Sequence, residues 1–208
     1  MYVPTHFSEQ RPEELARLIS HNALGALVTH GPNGLDANHL PFELHGIAGE
    51  GGTLQGHVAR ANPVWQELTD GSDVLVIFRA ADAYISPNWY PSKHEQHRQV
   101  PTWNYMVVHV HGRLRIRDDE QYVRAIVAKL TRTHEHRTDP ENAWRMTDAP
   151  RDYIDTLVKA IVGIEVEIAH VVGKSKLSQN REDRDRRGAS AALEERGEYD
   201  MAKAMLPP

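Results

Sequence analysis

The chain has 208 residues, 40% of them hydrophobic and 25% charged, with a formal charge of −5 at pH 7 and no cysteine. That length buries a core unaided, and the missing cysteine excludes disulfides, thiolate nucleophiles and cysteine-ligated zinc or iron–sulfur centres. The negative balance gives no global attraction to nucleic acid, so DNA contact would need a local basic patch. The opening MYVPTHFSEQRPEELARL has no apolar run flanked by basic residues, and no stretch approaches the roughly 20 apolar residues of a spanning helix. The expectation is one cytoplasmic domain over 1–208 with no membrane insertion.

In chain order, Pro12 to Ser20 predicts a helix, with proline in the first turn and Leu15, Leu18 and Ile19 on one face. Leu24 to His30 and Leu35 to Leu44 flank the turn-forming Gly31-Pro32-Asn33-Gly34 and predict a hairpin. Pro41 cannot donate to a ladder and belongs at an edge or bulge. After a glycine-rich loop, Thr53 to Val58 reads as a strand, and Asn62-Pro63 caps and opens a short helix through Leu68, ended by Asp70-Gly71. Asp73 to Arg79 predicts a further strand, continuing after a short break in Ala83 to Ser86. A polar loop is expected from Pro87 to about Val100.

The stretch TWNYMVVHVHGRLRIRD is long and β-branched enough for one extended strand, with Gly112 at a bend or bulge, and its length suits a curved barrel. Asp118 or Asp119 caps a helix expected through Thr133, and Pro150 opens another carrying Ile154, Leu157, Val158 and Ile161. Strict alternation over Ile164, Glu165, Val166, Glu167 and Ile168 predicts a half-exposed strand with both carboxylates on the open face. A C-terminal helical tail is expected over about 179–208. A β-rich centre with helices at its ends gives the fold class: α+β, mostly β with flanking helices, a closed or partly closed antiparallel sheet.

Three clusters carry chemistry. In GHVARANPVW a strand ends at Arg60 and a helix begins at Asn62; both features attract an anion, and a capped helix beside a surface arginine is the alternative. In AYISPNWYPSKHEQHRQVPTWNY, Tyr84, Trp89, Tyr90, Trp103 and Tyr105 concentrate in a chain only 7% aromatic. Aromatic walls with Ser86, Asn88, Lys93, Thr102 and Asn104 would bury and orient a planar ligand; a loop whose aromatics serve as core is the alternative. In GKSKLSQNREDRDRRG, six basic and three acidic residues lie between Lys174 and Arg187. Lys174, Lys176 and Arg181 would hold a phosphate, from a cofactor or from DNA, with Ser178, Gln179 and Asn180 as hydrogen-bond partners; a solvated charged segment is the alternative.

His109 and His111 share a strand face, whereas His134 and His136 do not align well, and no carboxylate cluster completes a metal set around either pair, so no metal is expected. The chain carries no Gly-x-Gly-x-x-Gly fingerprint, Walker loop, Gly-x-Ser-x-Gly elbow or identifiable helix-turn-helix.

Taken together, Met1-Tyr2-Val3-Pro4, Ala37-Asn38-His39-Leu40-Pro41-Phe42, Gly56-His57-Val58-Ala59-Arg60-Ala61-Asn62-Pro63, Tyr84-Ile85-Ser86-Pro87 with Trp89-Tyr90, Pro101-Thr102-Trp103-Asn104-Tyr105 and Lys176-Leu177-Ser178-Gln179-Asn180-Arg181 resemble the PaiB-type FMN-binding negative transcriptional regulators. The resemblance runs almost end to end. The family is similar to the split β-barrel flavoproteins that include pyridoxamine-phosphate oxidase, so it implies a split antiparallel barrel, a homodimer and FMN held between subunits. It implies cofactor-binding roles for Asn38, His57, Arg60, Asn62, Ser86, Trp89, Tyr90, Lys93, Thr102, Trp103, Asn104, Lys174, Lys176, Ser178, Gln179, Asn180 and Arg181. Among these, Trp89, Trp103 and Asn104 would face the isoalloxazine. One departure is Ser175, where the resemblance implies an aromatic residue between the two lysines. The function expected is that of an FMN-binding regulator. The alternatives are a flavin-dependent oxidoreductase of the split-barrel class, in which Tyr84, His57 or His109 would supply a proton, and a direct DNA contact through Lys174 to Arg187.

Overall fold

The computed structural model describes residues 1–46 and 51–206. Its chain divides into two compact units. The first contains Met1–Leu15, Arg79–Val108 and Val172–Pro208, and the second Ala16–Phe78 and His109–Val171. The glycine-rich loop expected after the hairpin falls in part on residues 47–50, outside the described residues.

The second unit holds most of an eight-stranded sheet. Its strands are β2 (Leu24–Gly31), β3 (Gly34–Pro41), β4 (Glu43–His45) and β5 (Thr53–Ala59), with parts of β6 (Asp73–Ile85), β7 (Thr102–Arg117) and β8 (Ile161–Lys176). Neighbours run β3-β2-β6-β7-β8-β5-β4, so the two strands at the ends of the path are joined in the chain by one residue, Phe42. That residue turns the corner. Its N–H donates to the Ala23 carbonyl at 2.9 Å, and its ring meets Phe78 edge-on with centroids 6.1 Å apart. A Cβ added to Gly25 would lie 3.1 Å from the Phe42 ring, and one on Gly56 3.2 Å from it and 2.9 Å from the Pro41 carbonyl oxygen. Two glycines therefore make room for the corner aromatic, and Pro41 sits where its missing donor costs nothing, at the end of β3.

The hairpin pairs Leu24 with Pro41 through to Gly31 with Gly34, leaving a two-residue turn of Pro32 and Asn33. It is shorter on its second side than expected, because Phe42 separates β3 from β4. Gly112 lies inside an unbroken β7, where a Cβ would come within 2.3 Å of the Glu167 carbonyl oxygen, so glycine permits close backbone approach of β8.

Helices flank this sheet. α1 (Pro12–His21), which begins in the first unit, buries Leu18 and Ile19, and the Asn22 side chain closes it by donating to the Leu18 carbonyl at 2.8 Å. α2 (Val64–Glu67) starts one residue later than predicted; the Asn62 side chain still accepts from the Val64 N–H at 3.0 Å. α4 (Glu120–Thr138) is capped by Asp119, which accepts from the Tyr122 N–H at 2.8 Å. It outruns the predicted end at Thr133 because its last turn is polar and shows no apolar period; Pro140 forces Asp139 out of helical geometry. α5 (Arg151–Lys159) packs Ile154 and Val158 on Val123 of α4.

The predicted strand at 164–168 is only the centre of the 16-residue β8, and Glu165 is buried rather than on an open face. It accepts from Gln55 at 3.0 Å, Arg117 at 3.0 Å and the Tyr122 hydroxyl at 2.8 Å. Alternation places Glu165 and Glu167 on one side of the strand but cannot say that α4 and β5 cover one of them.

In the first unit, β1 (Ser8–Glu9) pairs antiparallel with β8 through Ser8 to Lys174. β6 shows no break before Ala83; Arg79 and Asp82, expected in or beside an interruption, form a 2.7 Å ion pair along the strand. The predicted loop from Pro87 contains a 3-10 turn at Pro87–Trp89 and α3 (Lys93–Gln96). The C-terminal segment forms α6 (Asp183–Glu194) and α7 (Tyr199–Met205). These helices supply most of a core: Ala189, Leu193, Met201, Ala202 and Met205 are buried with Ala83, Ile85 and Tyr90.

Burial pushes the Glu165 pKa up, but the hydrogen bonds from Gln55, Arg117 and Tyr122 outweigh it and hold the carboxyl below the usual glutamate range. A carboxyl depressed in the folded state stabilises the protein above its unfolded pKa of about 4.3, and that stabilisation is lost as pH falls through the folded value. Urea midpoints of Glu165→Gln should therefore lie below wild type at neutral pH, with the gap narrowing as pH falls below about 4.3. A gap independent of pH would contradict this role.

Candidate functional site

The first unit collects thirteen of the seventeen candidate residues. β7 opens with Thr102, Trp103 and Asn104, and β8 ends with Lys174, Ser175 and Lys176. Lys176 donates its ammonium to the Thr102 hydroxyl and, at 2.7 Å, to the Trp103 carbonyl. Lys174 is 9% exposed, donates to the Tyr2 carbonyl at 3.2 Å and lies 5.2 Å from the Tyr105 ring centroid. Arg181 donates to the Gln99 side-chain oxygen at 2.6 Å, its guanidinium 5.6 Å from the Tyr90 ring centroid. No carboxylate pairs with any of these three cations among the described residues. Burial, followed by the charges of Lys174 and Arg181, pushes the Lys176 amine below the usual lysine range, against an opposing pull from Tyr105.

The other basic residues of this stretch are occupied. Arg184 forms a double hydrogen bond with Glu95 at 2.6 and 2.7 Å and a third to Glu182. Arg187 pairs with Asp183 at 2.6 Å, and Arg186 donates to the Met205 carbonyl. The run that reads as one patch in sequence thus divides into a helical part, where Arg184 and Arg187 are ion-paired and Arg186 donates to a carbonyl, and a part held only by neutral acceptors.

The turn after β8 is built from the polar residues of the same motif. Asn104 and Ser178 are both buried and hydrogen-bonded to each other at 3.0 and 3.2 Å, and Ser178 has φ 62°, a left-handed conformation. Gln179 closes the turn by donating to the Ser175 carbonyl at 2.5 Å and accepting from the Leu177 N–H at 2.7 Å. Asn180 is exposed. Ser175, in the position where an aromatic was expected, is buried.

The aromatic cluster divides in the same way. Tyr90 is fully buried, and Trp89 packs against the same core with Arg196 over its ring at 5.2 Å. Trp103 is 54% exposed and Tyr84 46% exposed, their rings edge to face at 5.8 Å. The core reading of this segment therefore holds for Tyr90 and Trp89, while Trp103 and Tyr84 stand outside that core. Ser86 caps the 3-10 turn by accepting from the Asn88 N–H at 3.2 Å, and Lys93 bonds the Asn88 side chain.

Sequence reasoning missed Asp185. It is 1% exposed and accepts from the Ser92 N–H at 3.0 Å and the Ser92 hydroxyl at 2.6 Å, tying α6 to the segment that carries Trp89 and Lys93. Gln99, which also donates to the Ser92 hydroxyl at 2.8 Å, was missed as well. An acid in a mixed-charge run and a glutamine in a polar loop give no sequence signal.

The second unit holds Asn38, His57, Arg60 and Asn62. The Arg60 guanidinium is committed to Asp118, at 2.5 and 3.0 Å, and to the carbonyls of Lys159 and Ile161. Asn62 donates to Asn38 at 2.7 Å. His57 is half-buried with no partner for Nδ1 among the described residues, and burial pushes its pKa down. His109 and His111 do share a face, with ring centroids 6.5 Å apart, and His111 stacks on His170 at 4.3 Å.

Residues 1–170 match the family described as "Putative FMN-binding domain". The chain is 31% identical over 185 residues to the protease synthase and sporulation protein PAI 2 of Bacillus subtilis, covering 89% of this chain and 85% of that protein. It is 33% identical over 164 residues to an uncharacterized protein of Saccharomyces cerevisiae, covering 68% of this chain and 95% of that one. Among solved structures, the FAD and heme binding protein from Mycobacterium smegmatis aligns with a TM-score of 0.57 at 16% identity, over 81% of this chain and 73% of that one. The flavocytochrome Anf3 from Azotobacter vinelandii aligns with a TM-score of 0.55 at 15% identity, over 84% and 72%. These likenesses show the fold alone: mostly antiparallel sheet with flanking helices, of the split-barrel class.

Asp185→Ala leaves the Ser92 N–H and hydroxyl without their acceptor inside the unit, which should cost about 1–3 kcal/mol of unfolding free energy. Denaturant titration checks this, and an unchanged midpoint would remove Asp185 from its anchoring role.

Proposed function

The chain belongs to the "Putative FMN-binding domain" family, that of the PaiB-type regulators, and on that premise we propose that it holds FMN as the cofactor of a homodimeric regulatory protein, the whole chain acting as one FMN-binding domain. The observation that carries the cofactor reading is the set of three cations, Lys174, Lys176 and Arg181, held by neutral acceptors with no carboxylate among the described residues. Desolvated like charges repel, so the arrangement favours an anion that neutralises them, and a phosphate monoester has the required charge and acceptor oxygens.

In this reading the phosphate lies at the three cations and the ring system lies against the exposed faces of Trp103 and Tyr84. FMN would supply redox chemistry at its isoalloxazine; the protein's part is binding, orientation and exclusion of water. Thr102 and the Trp103 carbonyl hold the Lys176 ammonium in place. Asn104, Ser178 and Gln179 act as positioning residues that fix the turn between Lys176 and Arg181, rather than facing the flavin themselves. Ser86, Lys93, Trp89 and Tyr90 shape the wall behind, and Asn180 is the exposed polar group of the turn. Arg60 is left outside the phosphate set because Asp118 already neutralises it, and Asn38, Asn62 and His57 belong to its unit.

Dimerisation would cover the exposed aromatic pair Tyr84 and Trp103. Regulation then requires that FMN, or one of its redox states, bind two dimer conformations with different affinity. Direct DNA contact through the basic run is disfavoured, since Arg184 and Arg187 are paired with Glu95, Glu182 and Asp183.

A charge-assisted hydrogen bond contributes about 1.5–3 kcal/mol, and about 1.4 kcal/mol is tenfold in affinity. Lys174→Ala and Lys176→Ala should therefore each weaken FMN binding by roughly 10- to 100-fold in equilibrium dialysis. Arg187→Ala, whose partner is Asp183, should leave it unchanged. Equal effects of all three would mean that general surface charge, not this cluster, holds the phosphate.

A further inference from the structure

The second unit carries a cleft of about 390 Å³ beside the hairpin turn, chemically opposite to the cationic cluster of the first unit. Thr29 and Asp36 are cross-strand partners, so their side chains share a face, and Asn38 follows Asp36 on that face. Glu67, at the end of α2, leans over the same face because residue 31 is glycine: a Cβ there would lie 3.4 Å from the Glu67 Oε2. Two carboxylates of exposed residues and a hydroxyl thus line one cleft. Among the described residues no lysine, arginine or histidine lines the cleft.

A run of hydrogen bonds fixes one of these carboxylates. The Val64 N–H donates to Asn62 Oδ1 at 3.0 Å, Asn62 Nδ2 to Asn38 Oδ1 at 2.7 Å, and Asn38 Nδ2 to Asp36 Oδ2 at 3.1 Å. Among the described residues Asp36 Oδ1 and both Glu67 oxygens are left without hydrogen bonds, as is the hydroxyl of Thr29, which is only 4% exposed yet lines the cleft. That hydroxyl opens on the cleft, where water or a ligand completes its hydrogen bonds. Val64 and Leu68, both buried, form an apolar wall of the same cleft. A cleft of this size, with an apolar wall beside its carboxylates, suits a small organic molecule.

We propose that this cleft binds a small organic cation, an ammonium or guanidinium on a short apolar stem. Its charge is neutralised by Asp36 and Glu67, and its stem lies on Val64 and Leu68. The proposal is independent of the flavin reading, because every residue it uses lies in the second unit.

The test is an amide-resolved NMR titration of the full chain, with FMN added, using n-hexylammonium chloride as probe. The proposal expects saturable shifts at the Gly31 and Gly34 N–H and the Asn38 and Asn62 side-chain amides, none of them produced by hexanoate. Glu67→Gln, which removes no contact of the folded chain, should raise the dissociation constant, and Asp36→Asn with Glu67→Gln should raise it at least about tenfold with the melting temperature little changed. Absence of saturable shifts would overturn the proposal. So would equal shifts from hexanol, which would mean an apolar site, or matching shifts from calcium chloride, which would mean a hard-cation site.

Discussion

Like charges brought together out of water raise each other's free energy, and Lys174, Lys176 and Arg181 meet that constraint with no carboxylate partner among the described residues. Their support consists of the Tyr2 and Trp103 carbonyls, the Thr102 hydroxyl and the Gln99 side chain, and each of these must be fixed to do its work. The first unit is organised around that need. Pairing of β1 with β8 fixes the chain beside Lys174, the Asn104–Ser178 bond fixes the turn that presents Arg181, and Asp185 ties α6 to Ser92, whose hydroxyl also takes a bond from Gln99. The buried cluster of Leu193, Met201 and Met205 holds α6 and α7 in place behind them.

The second unit solves a different problem, that of closing a sheet. Its corner is a single phenylalanine, and the closure depends on glycines at 25 and 56, where a side chain would strike that ring. Glycine at 112 serves the same unit by letting β7 and β8 approach. Polar side chains then divide according to whether a counter-charge lies within reach: Arg60 finds Asp118 and Arg115 finds Asp70 and Glu167, whereas Glu67 is left facing the cleft with no basic residue along it among the described residues.

Much of the fold was legible because the signals were local. Proline in the first turn of α1, the turn residues between β2 and β3, Asp119 as the cap of α4 and the β-branched run of β7 each report on a few neighbouring residues. What sequence could not report was tertiary cover. Glu165 has the alternation of an exposed carboxylate but lies beneath Gln55, Arg117 and Tyr122. The apparent break in β6 is an ion-paired stretch of continuous strand, and α4 runs past its apolar period until Pro140 stops it. Clusters of residue type were legible as candidates for a site, but their division was not: composition cannot separate Tyr90, which is core, from Trp103, which is exposed, nor Arg187, which is paired, from Arg181, which is not.

The central claim is that the three unpaired cations hold the phosphate of FMN. Riboflavin has the same ring system without the phosphate, so direct comparison of the two by isothermal titration of the full chain isolates that claim. The account predicts that FMN binds at least about a hundredfold more tightly than riboflavin, the equivalent of roughly two charge-assisted contacts, and that the difference shrinks in high salt. Equal affinity for the two would contradict it and assign Lys174, Lys176 and Arg181 to some other anion.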